Sequence, residues 1–215
     1  MTRLLGKRSA TMECALALLG DRRNIVETGS AHLENDWEGA GLSTVIFGEW
    51  ASRHDGHLWT VDISPDAIAE CKRLTPEYAE WITYCEADSV AFLSAFLSAF
   101  DQPIDLLYLD SYDYPYGSLL DLYGGHTDLN AAIASLTALS EREVVERHGE
   151  IIEASQQHCQ REIQAALPNL HQHSVVLIDD AALPGGGKPR LAREVLTAAG
   201  WECLLDSYQT LWVQS

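Results

Sequence analysis

Five runs of apolar, β-forming residues recur along the chain, and a carboxylate sits at or beside the end of each before a helical stretch begins. They are Asn24-Ile25-Val26-Glu27-Thr28-Gly29, Leu58-Trp59-Thr60-Val61-Asp62, Trp81 to Ala87 followed by Asp88, Ile104 to Asp110, and 174–179 followed by Asp180. Runs this continuous in apolar character need cover on both faces. Strands alternating with helices supply that cover, so the chain reads as an α/β sheet flanked by helices.

The helical stretches carry their own signals. Residues about 9–20 form an amphipathic helix ending near Gly20-Asp21, and Leu42 to Arg53 repeats apolar residues at helical spacing. Ser64-Pro65-Asp66 opens a helix to about Leu74 by an N-cap and a proline at the first helical position. Asp88-Ser89 caps the next, whose repeat FLSAFLSAF (92–100) reads as core packing. Two more helices are predicted at about 127–139 and 141–167, and a last one at 188–199. Trp201 to Ser207 and Gln209 to Val213 form a terminal antiparallel pair. The 215 residues make one large domain: an N-terminal helical segment, 1–23, and a domain over 24–215. A helical insertion at about 111–170 is longer than a single crossover helix needs.

Composition narrows the partners. A net charge of −18 repels a nucleic acid at long range, and no basic stripe opposes it. Arg3, Lys7, Arg8, Arg22 and Arg23 are read as solvating the terminal helix. No apolar run has the length of a membrane span, and Ala15 to Gly20, short and preceded by Glu13, is a poor signal peptide. Five scattered cysteines without CxxC spacing argue for reduced thiols in a cytoplasm, against a disulfide frame or zinc site. The expectation is a cytoplasmic protein with a small-molecule partner and neither nucleic acid nor membrane; a homo-oligomer is left open.

In such sheets ligands bind outside the carboxyl ends of the strands. One constellation there is Glu27-Thr28-Gly29-Ser30, Gly39-Ala40-Gly41-Leu42-Ser43-Thr44 and Asp62. A glycine after the first strand admits a ligand to the backbone, a helix amino end offers free N–H donors, and an acidic residue after the second strand can accept both hydroxyls of a ribose. VETGS with GLST, then TVDIS, EADS and IDLLYLD, in that order, resembles the class I S-adenosylmethionine-dependent methyltransferases. The resemblance covers roughly residues 24–110 and 170–215. It implies a Rossmann-like three-layer sandwich with a mostly parallel seven-stranded sheet and an antiparallel terminal strand. It also implies S-adenosylmethionine as cofactor. Gly29 and Ser30 would pass its methionine part, with Gly41 and Ser43 completing the first motif. Glu27 would hold the motif or the amino group, Asp62 the ribose, Ile63 the adenine face, and Asp88 with Ser89 its amino edge. The chain departs from the family in an insertion, AHLENDWEGA (31–40), that splits the first-motif glycines.

The second constellation is Asp110 with Asp179-Asp180. Two adjacent carboxylates at a buried strand end are costly unless a cation or donors offset them. Their bland reading is a solvated strand end. In this fold the two strands are neighbours, so the three carboxylates converge, and hard oxygen ligands suit Mg²⁺, Mn²⁺ or Ca²⁺. The pattern is similar to the metal-dependent O-methyltransferases of catechols, phenolic esters and some macrolide sugars. That resemblance implies a divalent metal that binds an acceptor hydroxyl, lowers its pKa and aims its oxygen. Those enzymes carry Lys or His as a base three residues after the first Asp; here Asp113 stands there, as base, fourth ligand or loop residue. His158, with Glu162 one turn later, is the alternative base. His54/His57 and His171/His173 read as surface loops, and the tyrosines of SYDYPYG and DLYGGH either wall an acceptor pocket or pack a loop.

The function expected is therefore methyl transfer from S-adenosylmethionine to a hydroxyl of a small acceptor, with a divalent metal orienting that acceptor. Its rivals are a non-catalytic cofactor-binding domain, a metal-independent methyltransferase and a nicotinamide-dependent oxidoreductase. The last lacks a compact GxGxxG after the first strand.

Overall fold

The computed structural model describes residues 6–32, 34, 42–112 and 140–214. In chain order these hold α1 (Ser9–Leu19), β1 (Asn24–Thr28), α2 (Ser43–His54), β2 (His57–Asp62), α3 (Pro65–Leu74), β3 (Ile82–Glu86), α4 (Ser89–Phe100), β4 (Ile104–Leu109), α5 (Glu141–Ala166), β5 (Leu170–Ile178), α6 (Arg190–Ala198), β6 (Trp201–Asp206) and β7 (Thr210–Gln214). The helix predicted at 127–139 lies outside the described residues.

Period-two alternation sorts each strand onto two cores. Ile25, Leu106, Tyr108, Val175 and Leu177 face one side, where Met12, Leu19, Ile46, Phe47 and Trp50 of α1 and α2 cover them. Val26, Leu107, Leu109, Val176 and Ile178 face the other, against Leu93, Phe96, Cys159, Ile163, Ala192 and Leu196 of α4, α5 and α6. The expected core role of FLSAFLSAF holds for Leu93 and Phe96, with Phe92 and Phe100 packed against them, but Leu97 is exposed. Leu93 and Phe96 are fully buried, and Phe96 meets Trp59 edge-on with ring centroids 5.1 Å apart. Burying a side chain of that size contributes about 1.5–3 kcal/mol.

The seven strands run in the order β3-β2-β1-β4-β5-β7-β6. The β1–β2, β1–β4, β2–β3 and β4–β5 pairs are parallel, and β7 runs antiparallel to both β5 and β6. This is the three-layer, mostly parallel arrangement with a reversed last strand. The N-caps read from the sequence are also in place: Ser64 accepts from the Ala67 N–H and Asp88 from the Ala91 N–H.

One boundary moves. The sequence places the start of the fifth strand at 174, but β5 begins at Leu170. Its register against β4 shifts between Ile104 and Leu106. The irregularity is fastened by Ser174, whose hydroxyl donates to the Ile104 carbonyl, and by His171, whose Nε2 lies 2.8 Å from Asp105 Oδ1. His57 likewise opens β2 and meets Thr83 Oγ1 at 2.7 Å. His57, His171 and His173 are strand residues and His54 ends α2, so none of the four lies in a loop.

Candidate cofactor and acceptor site

The chain runs from β1 outward to β3 and returns to β4 on the far side of β1. The resulting gap between the ends of β1 and β4 is where ligands bind in such sheets. There the Asp110 N–H donates to the Thr28 carbonyl and the Gly29 N–H to the Val61 carbonyl, both at 2.9 Å. Gly29 has φ +85°, and a Cβ on it would stand 2.4 Å from the Asp110 carbonyl oxygen. The sequence suggests that this glycine admits a ligand. The structure adds a reason inside the protein: the backbone leaving β4 fills the space a side chain would need.

Glu27 is fully buried. Its carboxylate accepts from the hydroxyls of Ser43 at 2.5 Å, Thr44 at 2.6 Å and Thr60 at 2.8 Å. Burial pushes its pKa up to about 7, and those three hydroxyls pull against the rise. Of the two roles weighed for Glu27, the geometry favours holding the motif, since it locks the start of α2 to β1 and β2. Ser43 is turned inward by the same bond. Ser30 is also committed: its N–H donates to Asp62 Oδ2 at 3.0 Å and its hydroxyl pairs with Thr60 at 2.8 Å. Gly41 lies outside the described residues.

Asp62 ends β2 half-buried. One oxygen accepts from the Ser30 N–H and the other from the Ser64 N–H at 2.9 Å. Each oxygen keeps a lone pair for a further donor. The next residue, Ile63, is 73% exposed, an apolar face left open beside a fixed carboxylate. Asp88 is exposed and caps α4. Ser89 is buried, and its hydroxyl lies 3.0 Å from His158 Nε2. These groups match the chemistry of an adenosine: a carboxylate for its diol, an apolar surface for its ring, and polar groups at the far edge.

His158 is not a solvated helix residue. It is buried, with Ser89 on one side and the Tyr112 ring stacked on it at 5.0 Å between centroids. Its Nε2 lies 3.7 Å from Glu162 Oε1, which accepts from the Ser111 hydroxyl at 2.6 Å. Tyr112 itself has φ +55°, an unusual conformation for a bulky residue. His158 therefore gathers residues from α4, α5 and the segment after β4. Asp113 lies outside the described residues.

The three carboxylates do converge, as the strand order requires. What offsets their repulsion is supplied by the protein. Asp179, fully buried, takes the Arg8 guanidinium at 2.6 Å and the Tyr108 hydroxyl at 2.8 Å on Oδ2, and the Asp180 N–H at 2.8 Å on Oδ1. Asp110 Oδ1 lies 3.0 Å from the Lys188 ammonium, and its Oδ2 lies 3.2 Å from the Tyr108 hydroxyl. Asp180 pairs with Lys188 at 3.3 Å and accepts from the Tyr208 hydroxyl at 2.9 Å. All six carboxylate oxygens have a polar partner from the chain. Burial and the neighbouring Asp179 push the Asp110 carboxyl well above its ordinary value. Burial would lower the Lys188 ammonium, but Asp110, Asp180 and Asp179 outweigh it and hold the group charged.

The donor set therefore does not fit the expected metal site at Asp110, Asp179 and Asp180. An ion would have to enter beside an ammonium already seated against two of its three carboxylates, and like charges exclude each other at that range. Among the described residues no group of three or more His, Cys, Asp and Glu is arranged to hold a metal ion. Arg8, read from sequence as solvating a terminal helix, is instead buried with its charge spent on Asp179. Sequence reasoning also passes over Lys188, Tyr108 and Tyr208. The signal that could have found Lys188 is its place just past the Asp pair, in a loop of three glycines.

Among solved structures the chain is similar to CalS11, a TDP-rhamnose 3'-O-methyltransferase of calicheamicin biosynthesis. The TM-score is 0.58 at 12% identity, over 95% of this chain and 77% of that one. It is also similar to TomG, an O-methyltransferase from Streptomyces achromogenes involved in tomaymycin synthesis, with TM-score 0.55 and 14% identity over 96% and 81% of the two chains. A third is the N-methyltransferase NodS from Bradyrhizobium japonicum, with TM-score 0.50 and 13% identity over 95% and 96%. At these identities the likeness is one of fold, and the fold is that of the class I S-adenosylmethionine-dependent methyltransferases. No protein-family description and no curated protein matches the sequence. Among the described residues no helix is long and apolar enough to cross a membrane.

Proposed function

We propose that the chain transfers a methyl group from S-adenosylmethionine to a hydroxyl of a small-molecule acceptor. The observation that carries the cofactor assignment is the pair at the end of β2: Asp62, fixed by two backbone N–H groups, beside the open side chain of Ile63. In this reading Asp62 takes the ribose hydroxyls and Ile63 lies on the adenine face. Asp88 and Ser89 meet the adenine edge. His158, tied to Ser89, orders that edge, so its alternative assignment as a base is set aside. Asp113 is retained as the acceptor's base. The cofactor supplies an electrophilic methyl group, and the chain contributes mainly by holding the two reactants in line.

The acceptor is placed over the ends of β4 and β5, where Asp110 and Asp180 are partly open. A hydroxyl acceptor is supported by the two O-methyltransferases of similar fold, while NodS keeps a nitrogen acceptor as the competing outcome. The occupied carboxylate cluster favours the metal-independent form of the reaction over the metal-assisted one.

The test is calorimetric titration with S-adenosylmethionine and its demethylated product, followed by a methyl-transfer assay over a panel of hydroxylated and amino metabolites. The wild-type chain should bind both. Asp62→Ala should weaken binding by roughly 1.5–3 kcal/mol, the worth of hydrogen bonds to a charged group. Affinity that this substitution leaves unchanged, or tight NAD binding instead, would overturn the cofactor assignment.

A further inference from the structure

The loop Leu183-Pro184-Gly185-Gly186-Gly187-Lys188 returns the chain to the carboxylates it has just left. The Lys188 N–H donates to the Asp180 carbonyl at 3.2 Å. Gly187, at φ +65°, lies so close that a Cβ would stand 2.2 Å from that same carbonyl oxygen. Gln156 of α5 clamps the loop from outside, its amide donating to the Gly185 and Gly187 carbonyls at 2.9 and 3.0 Å and its oxygen accepting from Arg190. The result is a lysine that is 1% exposed, with its ammonium between the end of β4 and the end of β5.

We infer that Lys188, with Arg8, takes in this chain the position a divalent cation would hold, so that the protein's own charges gather Asp110, Asp179 and Asp180. Lys188 spans Asp110 and Asp180, and Arg8 neutralises Asp179 behind them. Arg8 is engaged with Asp179, and the Tyr108 hydroxyl beside Asp179 and Asp110 is a neutral donor, which leaves Asp110 and Asp180 dependent on Lys188 for positive charge. Lys188 is thus a positioning residue: it fixes the two carboxylates that border the acceptor side. The groups an acceptor meets there are hydrogen-bond acceptors rather than a metal ion, which suits a molecule arriving with O–H or N–H groups.

The experiment is a Mn²⁺ titration of the EDTA-stripped full-length chain, with free ion read by electron paramagnetic resonance. It reads ion occupancy, so its result stands apart from whether the chain transfers methyl groups. Wild type should bind Mn²⁺ no more tightly than about 1 mM, the weak end of the range that oxygen-ligand Ca²⁺ sites span. Lys188→Ala vacates the ammonium and should gain one ion per chain, bound at least about tenfold more tightly than by wild type. Lys188→Arg retains the charge and should gain none. Tight stoichiometric uptake by wild type would overturn the inference, as would a folded Lys188→Ala chain that gains no site. Should Lys188→Ala fail to fold, the wild-type titration decides alone: tight uptake refutes, and its absence supports.

Discussion

Replacing Glu27 with glutamine isolates the effect of one buried charge on stability. The carboxyl sits at zero exposure and its pKa rises from an ordinary 4.5 to about 7. Between those values the folded chain keeps a proton that the unfolded chain has released. Folding stability therefore falls as pH rises through that window and levels off above it. At about 1.4 kcal/mol per pH unit the whole loss is roughly 3 kcal/mol, of which roughly 2.5 falls between pH 5 and pH 8. The amide of the Glu27→Gln chain does not titrate, and the hydroxyls of Ser43, Thr44 and Thr60 can turn to accept from it. Urea unfolding of both proteins at several pH values, followed by the fluorescence of the six tryptophans, gives the comparison. Titrating groups remote from Glu27, Asp110 among them, are common to both chains and cancel in the difference. Wild type should lose roughly 2.5 kcal/mol more than Glu27→Gln from pH 5 to pH 8, about 1 M in urea midpoint for a slope near 2 kcal/mol/M. Parallel pH profiles, whatever the constant offset between them, would refute the reasoning: Glu27 would then be ionised in the folded chain at pH 5.

Two further outcomes follow from the same end of the sheet. Gly29→Ala forces a Cβ toward the Asp110 carbonyl at a positive φ and should cost about 2 kcal/mol or more in thermal or urea unfolding; an unchanged melting temperature would mean that the backbone there yields freely. Arg8→Ala strands the buried Asp179 and should cost about 3–5 kcal/mol, with part of the loss recovered on adding Asp179→Asn, while additive losses in the double variant would deny the pair.

The strands and helices were readable from apolar runs and from start signals such as Ser64-Pro65 and Asp88, whereas the order of the strands came from the resemblance to the methyltransferase fold. Convergence of Asp110 with Asp179 and Asp180 follows from that order alone. The cations do not. Arg8 lies 171 positions from Asp179 and sits among other basic residues that suggest solvent. Lys188 follows three glycines that suggest an exposed loop. Nor can a sequence tell which way a hydroxyl points: Ser30 and Ser43 stand in the expected motif, yet both bond inward. The start of β5 was hidden for a related reason, since His171, Gln172 and His173 break the apolar pattern while the strand continues through them.

The contact between Arg8 and Asp179 also bears on the order in which the chain can complete itself. Thr11 reaches Gln209, just before β7, across 198 positions, so two residues one turn apart near the amino end are fastened to segments that follow β5 and precede β7. During synthesis the first helix must wait, its guanidinium hydrated, until almost the whole chain has emerged. Contacts of such long range close late and slow the final step of folding. A tag or truncation near residue 8 would then disturb a cluster whose carboxylates follow β4 and β5, far along the chain.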